Sequence, residues 1–164
     1  MKKITKNKTG FTLIELLLVI AVIAAMAVTV FVALNPAGRL QNARNSKRVT
    51  DVDSYLSAVQ QYIVDNGGTL PAGIATTSDS MIGTCSTTPA VATGGCNVLA
   101  SSACFNASTT LAKYLASAPM DPLATLGFAS STDYAITASA TTSIVTIKAC
   151  GQENATGGQI WASR

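Results

Sequence analysis

The chain has 164 residues, a formal net charge of +3, only 12% charged side chains and a positive mean hydropathy. It contains no histidine, which removes the commonest general base and the commonest transition-metal ligand, so no metal and no cofactor is expected. Four of the eleven Lys/Arg are Lys2, Lys3, Lys6 and Lys8, leaving seven against eight Asp/Glu beyond residue 10, a balance with no footprint for nucleic acid.

Residues 1–10 are short, basic and without an apolar centre. Phe11–Leu34 follows as 24 residues with one charge, Glu15. As a helix this run is long enough to cross a hydrocarbon core of ~30 Å. It is longer than a secretory signal core, and no A-x-A-like cleavage site follows it, so it is expected to stay in the mature chain. A carboxylate in such a helix is costly at its centre and less so near an end, where Glu15 lies.

The stretch Lys8-Thr-Gly10-Phe11-Thr-Leu-Ile-Glu15-Leu-Leu resembles the prepilin signal of type IV pilins and of type II secretion pseudopilins. That signal is a basic leader ending in Gly, then Phe, then Glu four residues on, inside a long apolar helix. The resemblance implies cleavage between Gly10 and Phe11 by a membrane prepilin peptidase and N-methylation of Phe11. It also implies assembly with an assembly platform into a homo-oligomeric helical filament. Glu15 would then pair with the Phe11 ammonium of a neighbouring subunit and select its register.

Positive residues flank both ends of the apolar run, with Arg39, Arg44, Lys47 and Arg48 beyond it, so the positive-inside count is nearly tied. The four cysteines and the resemblance favour a cytoplasmic leader and an exported C-terminal domain. This gives a single-pass precursor in the cytoplasmic membrane and then a periplasmic or extracellular filament.

Asn35-Pro36-Ala-Gly38 ends the apolar run. Pro36 and Gly38 read either as the junction between two helices or as a kink in one long helix. From residue 35 to 66 an amphipathic helix is expected. Val52, Leu56, Val59 and Ile63, with Tyr55 and Tyr62, recur at three- and four-residue intervals, and Arg39, Arg44, Lys47, Asp51 and Asp65 are left for other faces. Gly67-Gly68 is its stop signal.

Residues 67–164 form the expected globular domain. Thr69–Ala118 is rich in Thr, Ser, Ala and Gly and reads mostly as loop, with a short helix at Leu111–Ala116. With an exported domain, Cys85, Cys96, Cys104 and Cys150 read as two disulfides, and four cysteines allow three pairings. The pairing Cys85–Cys96 with Cys104–Cys150 would close a small loop and staple it to the later strands. Asn106-Ala-Ser108 and Asn154-Ala-Thr156 fit the N-glycan acceptor pattern. Pro119-Met-Asp121-Pro122 resembles a turn before the sheet in pseudopilins, and Asp121 reads as its cap in preference to the calcium ligand that the resemblance also allows, since one carboxylate is far short of a calcium shell. Tyr134–Ala138 and Ile144–Cys150 read as a hairpin, with a last strand at Gln159–Ala162. The fold class is α+β: a long N-terminal helix, its second half covering a small antiparallel sheet.

Overall fold

The computed structural model describes residues 10–86, 95–98, 104–123, 125, 127–153 and 158–164. The leader residues Lys2, Lys3, Lys6 and Lys8 and the acceptor pattern at Asn154 lie outside them. The chain divides into two units, residues 1–39 and 40–164.

In the first unit, α1 spans Leu13–Leu34 with Thr12 as its N-cap. Its Leu, Ile, Val and Ala side chains are good helix formers or hydrocarbon-compatible, and none is buried within the chain. At about 1.5 Å per residue it is ~33 Å long, enough to cross a membrane. The interruption lies at Asn35, one residue before the expected pair, in the left-handed region at φ 40°, ψ 66°. Asparagine tolerates that conformation better than most residues. Pro36 is the first residue of α2 (Pro36–Asp65), where a missing N–H leaves no helical bond unmade. Gly38 does not loosen the helix. Its N–H donates to Asn35 Oδ1 at 3.4 Å, and a Cβ there would lie 3.0 Å from Asn35 Nδ2. Arg39 Nε donates to the Leu34 carbonyl at 3.1 Å and satisfies one of the acceptors that the end of α1 leaves open.

In the second unit, α2 buries Val52, Tyr55, Leu56, Ala58 and Val59 as its periodicity predicts. It stops where expected. Gly67 and Gly68 both have positive φ, and Gly68 N–H donates back to the Ile63 carbonyl at 2.8 Å. The strands are β1 (Ser80–Gly83), β2 (Cys104–Asn106), β3 (Tyr134–Ala138), β4 (Val145–Ala149) and β5 (Trp161–Ser163), in the order β2-β1-β3-β4-β5. The hairpin β3–β4 and the last strand follow the sequence pattern. The sheet is mixed rather than purely antiparallel, because β1 and β2 pair in parallel, Met81 opposite Cys104. Neither of these strands stands out in the Thr/Ser/Gly-rich segment. Side chains alternate across the sheet. Tyr134, Ile136, Val145 and Ile147 join Ile82 and Phe105 under α2, while Met81, Ala135, Val98 and Cys150 form a smaller cluster on the other face.

The short helix lies earlier than expected, as α3 at Ala107–Thr110. Asn106 starts it, its Oδ1 accepting from Thr109 N–H at 3.2 Å. Asn106 Nδ2, the atom that a glycan would take, donates to the Thr84 carbonyl at 3.0 Å, so glycosylation there would break a bond of the fold.

The cysteines pair as Cys85–Cys104 and Cys96–Cys150, not as the loop-closing alternative. Strand register decides this. Cys85 lies two residues past β1 in a left-handed turn (φ 56°), with its Cα 5.8 Å from that of Cys104 on the parallel neighbour β2. Segment 95–98 is held by Asp79, whose N–H donates to the Asn97 carbonyl at 3.0 Å and whose Oδ2 accepts Asn97 N–H at 2.7 Å, and by Gly95 N–H on the Cys150 carbonyl at 3.2 Å; Cys96 therefore meets Cys150. Bridges across separations of 19 and 54 residues each contribute about 3–4 kcal/mol in the chain-entropy account.

Candidate functional site

Gly10, Phe11 and Thr12 precede α1 in non-helical, exposed chain. Phe11 is 85% exposed, and among the described residues nothing lies within 4 Å of the place a Cβ would take at Gly10. The Gly10–Phe11 peptide bond therefore stands clear of the helix, where a protease can reach it. Thr12 and Glu15 then close the start of α1 on each other. Glu15 N–H donates to Thr12 Oγ1 at 3.4 Å, and Glu15 Oε2 accepts from Thr12 N–H at 2.9 Å and from Thr12 Oγ1 at 2.7 Å. This is a capping box, which satisfies two backbone donors that helix geometry leaves open. Its signal, Thr12-Leu-Ile-Glu15, is legible in the sequence once Thr is followed by Glu three residues on. One carboxylate oxygen, Oε2, takes all of the Thr12 donors. Among the described residues no bond engages Oε1.

Residues 5–31 match the model of the prokaryotic N-terminal methylation motif. The chain carries that motif. Gly10, Phe11 and Glu15 all lie inside the matched span. A stretch of 66 residues is 38% identical to "Type II secretion system core protein G" of Vibrio cholerae serotype O1, covering 40% of this chain and 43% of that protein. The match thus spans less than half the length of that relative. No solved structure matches the chain. The motif-bearing segment resembles pilins and pseudopilins, as its residues imply.

A second concentration of functional-looking groups lies in the unit of residues 40–164 and is ionic. Arg48 on α2 has no solvent exposure and grips Asp121 with two bonds, Nε to Oδ2 at 2.6 Å and Nη2 to Oδ1 at 2.8 Å. Its Nη1 reaches Asn45 Oδ1 at 2.7 Å and Glu153 Oε2 at 3.3 Å. Glu153 also takes Arg44 through both oxygens, at 2.5 and 2.6 Å, and the Arg44 guanidinium holds its carboxyl below the ordinary range. Asn45 binds the backbone of Glu153 in both directions. Asp121 Oδ1 accepts Leu123 N–H at 2.8 Å, the turn cap expected of it. Together these contacts fasten the turn at 119–123 and the segment at 150–153 to α2.

Asp51, expected on a face other than the apolar stripe, is packed beside that stripe. It is buried, accepting Tyr134 Oη at 2.9 Å and Lys47 Nζ at 2.5 Å. It occurs one residue before Val52 on the same side of the helix, so a stripe read from apolar residues alone passes it over. Burial pushes the Tyr134 hydroxyl up, so it stays a donor to Asp51.

Asp133 is the odd member of the group. It is 6% exposed, has a left-handed φ of 63°, and its Oδ2 has no hydrogen-bond partner among the described residues. Burial, then the charge of Asp121, raises its carboxyl to about 6, against the pull of Arg48. An acid whose folded pKa is raised costs stability as pH rises from its unfolded value to its folded one, with the full cost above both. Asp133→Asn keeps the shape and suits the left-handed backbone. At about pH 7 it is expected to raise stability by about 1–3 kcal/mol, and near pH 4 to change it little. Thermal midpoints followed by circular dichroism across this range check it; a gain independent of pH would assign the effect to packing instead.

Proposed function

We propose that this chain is a structural, non-catalytic subunit of a type IV pilus. In this reading it is made as a single-pass precursor with the basic leader in the cytoplasm. Prepilin peptidase cuts between Gly10 and Phe11, Phe11 is N-methylated, and the assembly platform passes the subunit into a homo-oligomeric helical filament outside the cytoplasmic membrane. The observation that carries this is α1: 22 apolar-rich residues, none buried within the chain, beginning two residues after an exposed Gly10–Phe11 bond. So large an apolar surface needs lipid or neighbours. Copies that meet through non-identical faces continue as a helix instead of closing.

The similarity to core protein G favours a second reading, a pseudopilin whose short filament serves secretion. The Thr/Ser-rich segment and its two disulfides favour a displayed filament. N-terminal sequencing and intact mass of protein sheared from the cell surface test the proposal. Expected is a chain that begins at methylated Phe11, recovered from surface filaments visible by electron microscopy. An intact leader in the assembled filament overturns the processing. Loss of an exported protein on deletion, with no surface filaments, selects the pseudopilin.

A further inference from the structure

Every charged residue from position 40 to 164 falls among the described residues, so the ion pairs of this unit can be traced throughout. Arg44 and Arg48 pair with Glu153 and Asp121, Lys47 with Asp51, Lys113 with Asp65, and Lys148 with Asp79. Asp133 is buried within the ionic group described above. Asp53 and Arg164 remain: opposite in sign, both exposed, and without an ion partner among the described residues. In a domain that matches its other charges so fully, one free acid and one free base at the surface are conspicuous.

Each sits in a defined place. Asp53 is on the side of α2 turned away from the core. There Ser46, Thr50, Asp53, Ser57, Gln60 and Val64 follow one another at alternating four- and three-residue intervals, the spacing of a face that lies along another helix. The hydroxyls of Ser46 and Thr50 donate to the carbonyls of Asn42 and Ser46 at 3.0 and 3.2 Å, which lowers their demand for water. Val49 and Val64 are 48% and 78% exposed on or beside this face. Arg164 exchanges both backbone bonds with Val145, at 2.8 and 3.1 Å, which fixes it beside a shallow groove lined by Ser57, Gln60, Gln61, Val64, Asp65 and Tyr114, where the Asp65 carboxylate is already taken by Lys113 and Tyr114. The acid therefore lies midway along the stripe and the base at its far end.

We infer that this outer face of α2 is a contact surface for a second copy of the chain, with Asp53 of one copy paired to Arg164 of the next. Charge complementarity identifies the occupant: the surface presents one acid and one base, and an identical copy supplies the complement of each. An acid and a base at different points of one face can close on each other as a two-fold pair or run head-to-tail; in the filament reading the contact runs head-to-tail, Asp53 of each copy meeting Arg164 of the next. An ion pair enclosed between copies supplies register, since losing either member leaves the other without a counter-charge. The inference rests on the filament reading above.

The test uses the full-length chain in cells, with Asp53→Arg, Arg164→Asp and the double exchange at matched membrane levels. Neither residue has an ion partner among the described residues, so subunit stability is expected to be unchanged, read as subunit level and thermal midpoint. Each single reversal is expected to lower sheared-filament yield about tenfold or more, and the double exchange to restore it to within about twofold of wild type. A carbodiimide applied to Arg164→Lys filaments, mixed from isotopically light and heavy copies, is expected to join position 164 of one copy to Asp53 of another. Wild-type filaments accompanied by normal filaments from both single reversals overturn the contact while leaving the filament reading intact. A double exchange no better than the singles overturns the pairing as well. Absence of filaments from the wild type overturns the filament reading, and the contact falls with it.

Discussion

Arg48→Ala is expected to destabilise the domain of residues 40–164 by about 3–5 kcal/mol, the largest effect of any single polar change in it. The reason is what stays behind. Asp121 is 5% exposed and would keep only the Leu123 N–H as a donor. Asp133, buried beside it, would lose the cation that opposes its two sources of destabilisation, burial and the Asp121 charge. Glu153 would retain Arg44, so the segment at 150–153 stays fastened while the turn at 119–123 comes loose. Arg48→Lys keeps the charge but not the two-pronged grip on Asp121, and an intermediate loss is expected. The decisive comparison is a double-mutant cycle. Replacing both Arg48 and Asp121 by leucine should cost less than Arg48→Ala alone, because the Asp121 carboxylate is then not left buried without its partner and its charge no longer bears on Asp133. Denaturant midpoints with an unchanged slope measure it. A single replacement costing under about 1 kcal/mol would mean that water enters the site and screens the carboxylates.

Arg48 also shows where sequence reading stops. It falls in the same helical phase as Val52, Tyr55 and Val59, so period alone gives it a core position. Charge alone gives it a surface position. Reconciling the two required Asp121, 73 residues on, and no local pattern joins them. The same division runs through the fold. The α2 stripe, its Gly67-Gly68 stop and the β3–β4 hairpin were legible because each depends on residues a few places apart. The strand β1 was not: Ser80-Met-Ile-Gly83 is short and sits among Thr, Ser and Gly, yet it is central to the sheet and fully buried. Without β1 the parallel partner β2 has no place. Without their register Cys85 cannot be seen to lie nearer Cys104 than Cys96. The N-terminal site was the most legible part because every feature of it lies within residues 8–17. The one bond it withheld, Thr12 with Glu15, needed only three-residue spacing to be found.

That bond changes what a substitution at Glu15 reports. Glu15→Ala removes two things at once, a helix cap and a charge. The cap is worth about 0.5–2 kcal/mol of helix stability at an ordinary site. The charge matters only when a counter-charge is near. Cleavage at Gly10–Phe11 would create one, an α-amino group with an ordinary pKa near ~7.7–8.0, and in a filament the ammonium of a neighbour would meet Glu15 through the oxygen that Thr12 leaves open. Glu15→Ala is expected to leave cleavage intact, since the Gly10–Phe11 bond lies outside the helix, and to leave the disulfide-linked domain unchanged. Filament yield at matched subunit level is nevertheless expected to fall about tenfold or more, because the ammonium would be enclosed in an apolar core without a partner. Glu15→Gln separates the two roles. Its amide oxygen still accepts from Thr12, so the cap survives, but the charge does not. If capping alone matters, Gln assembles like wild type while Ala does not. If register depends on the ion pair, Gln is as poor as Ala or intermediate, which is the expected result. Normal assembly of both variants would make Glu15 a solvated group at the membrane surface, and the apolar face of α1 would then have to find its register by shape alone.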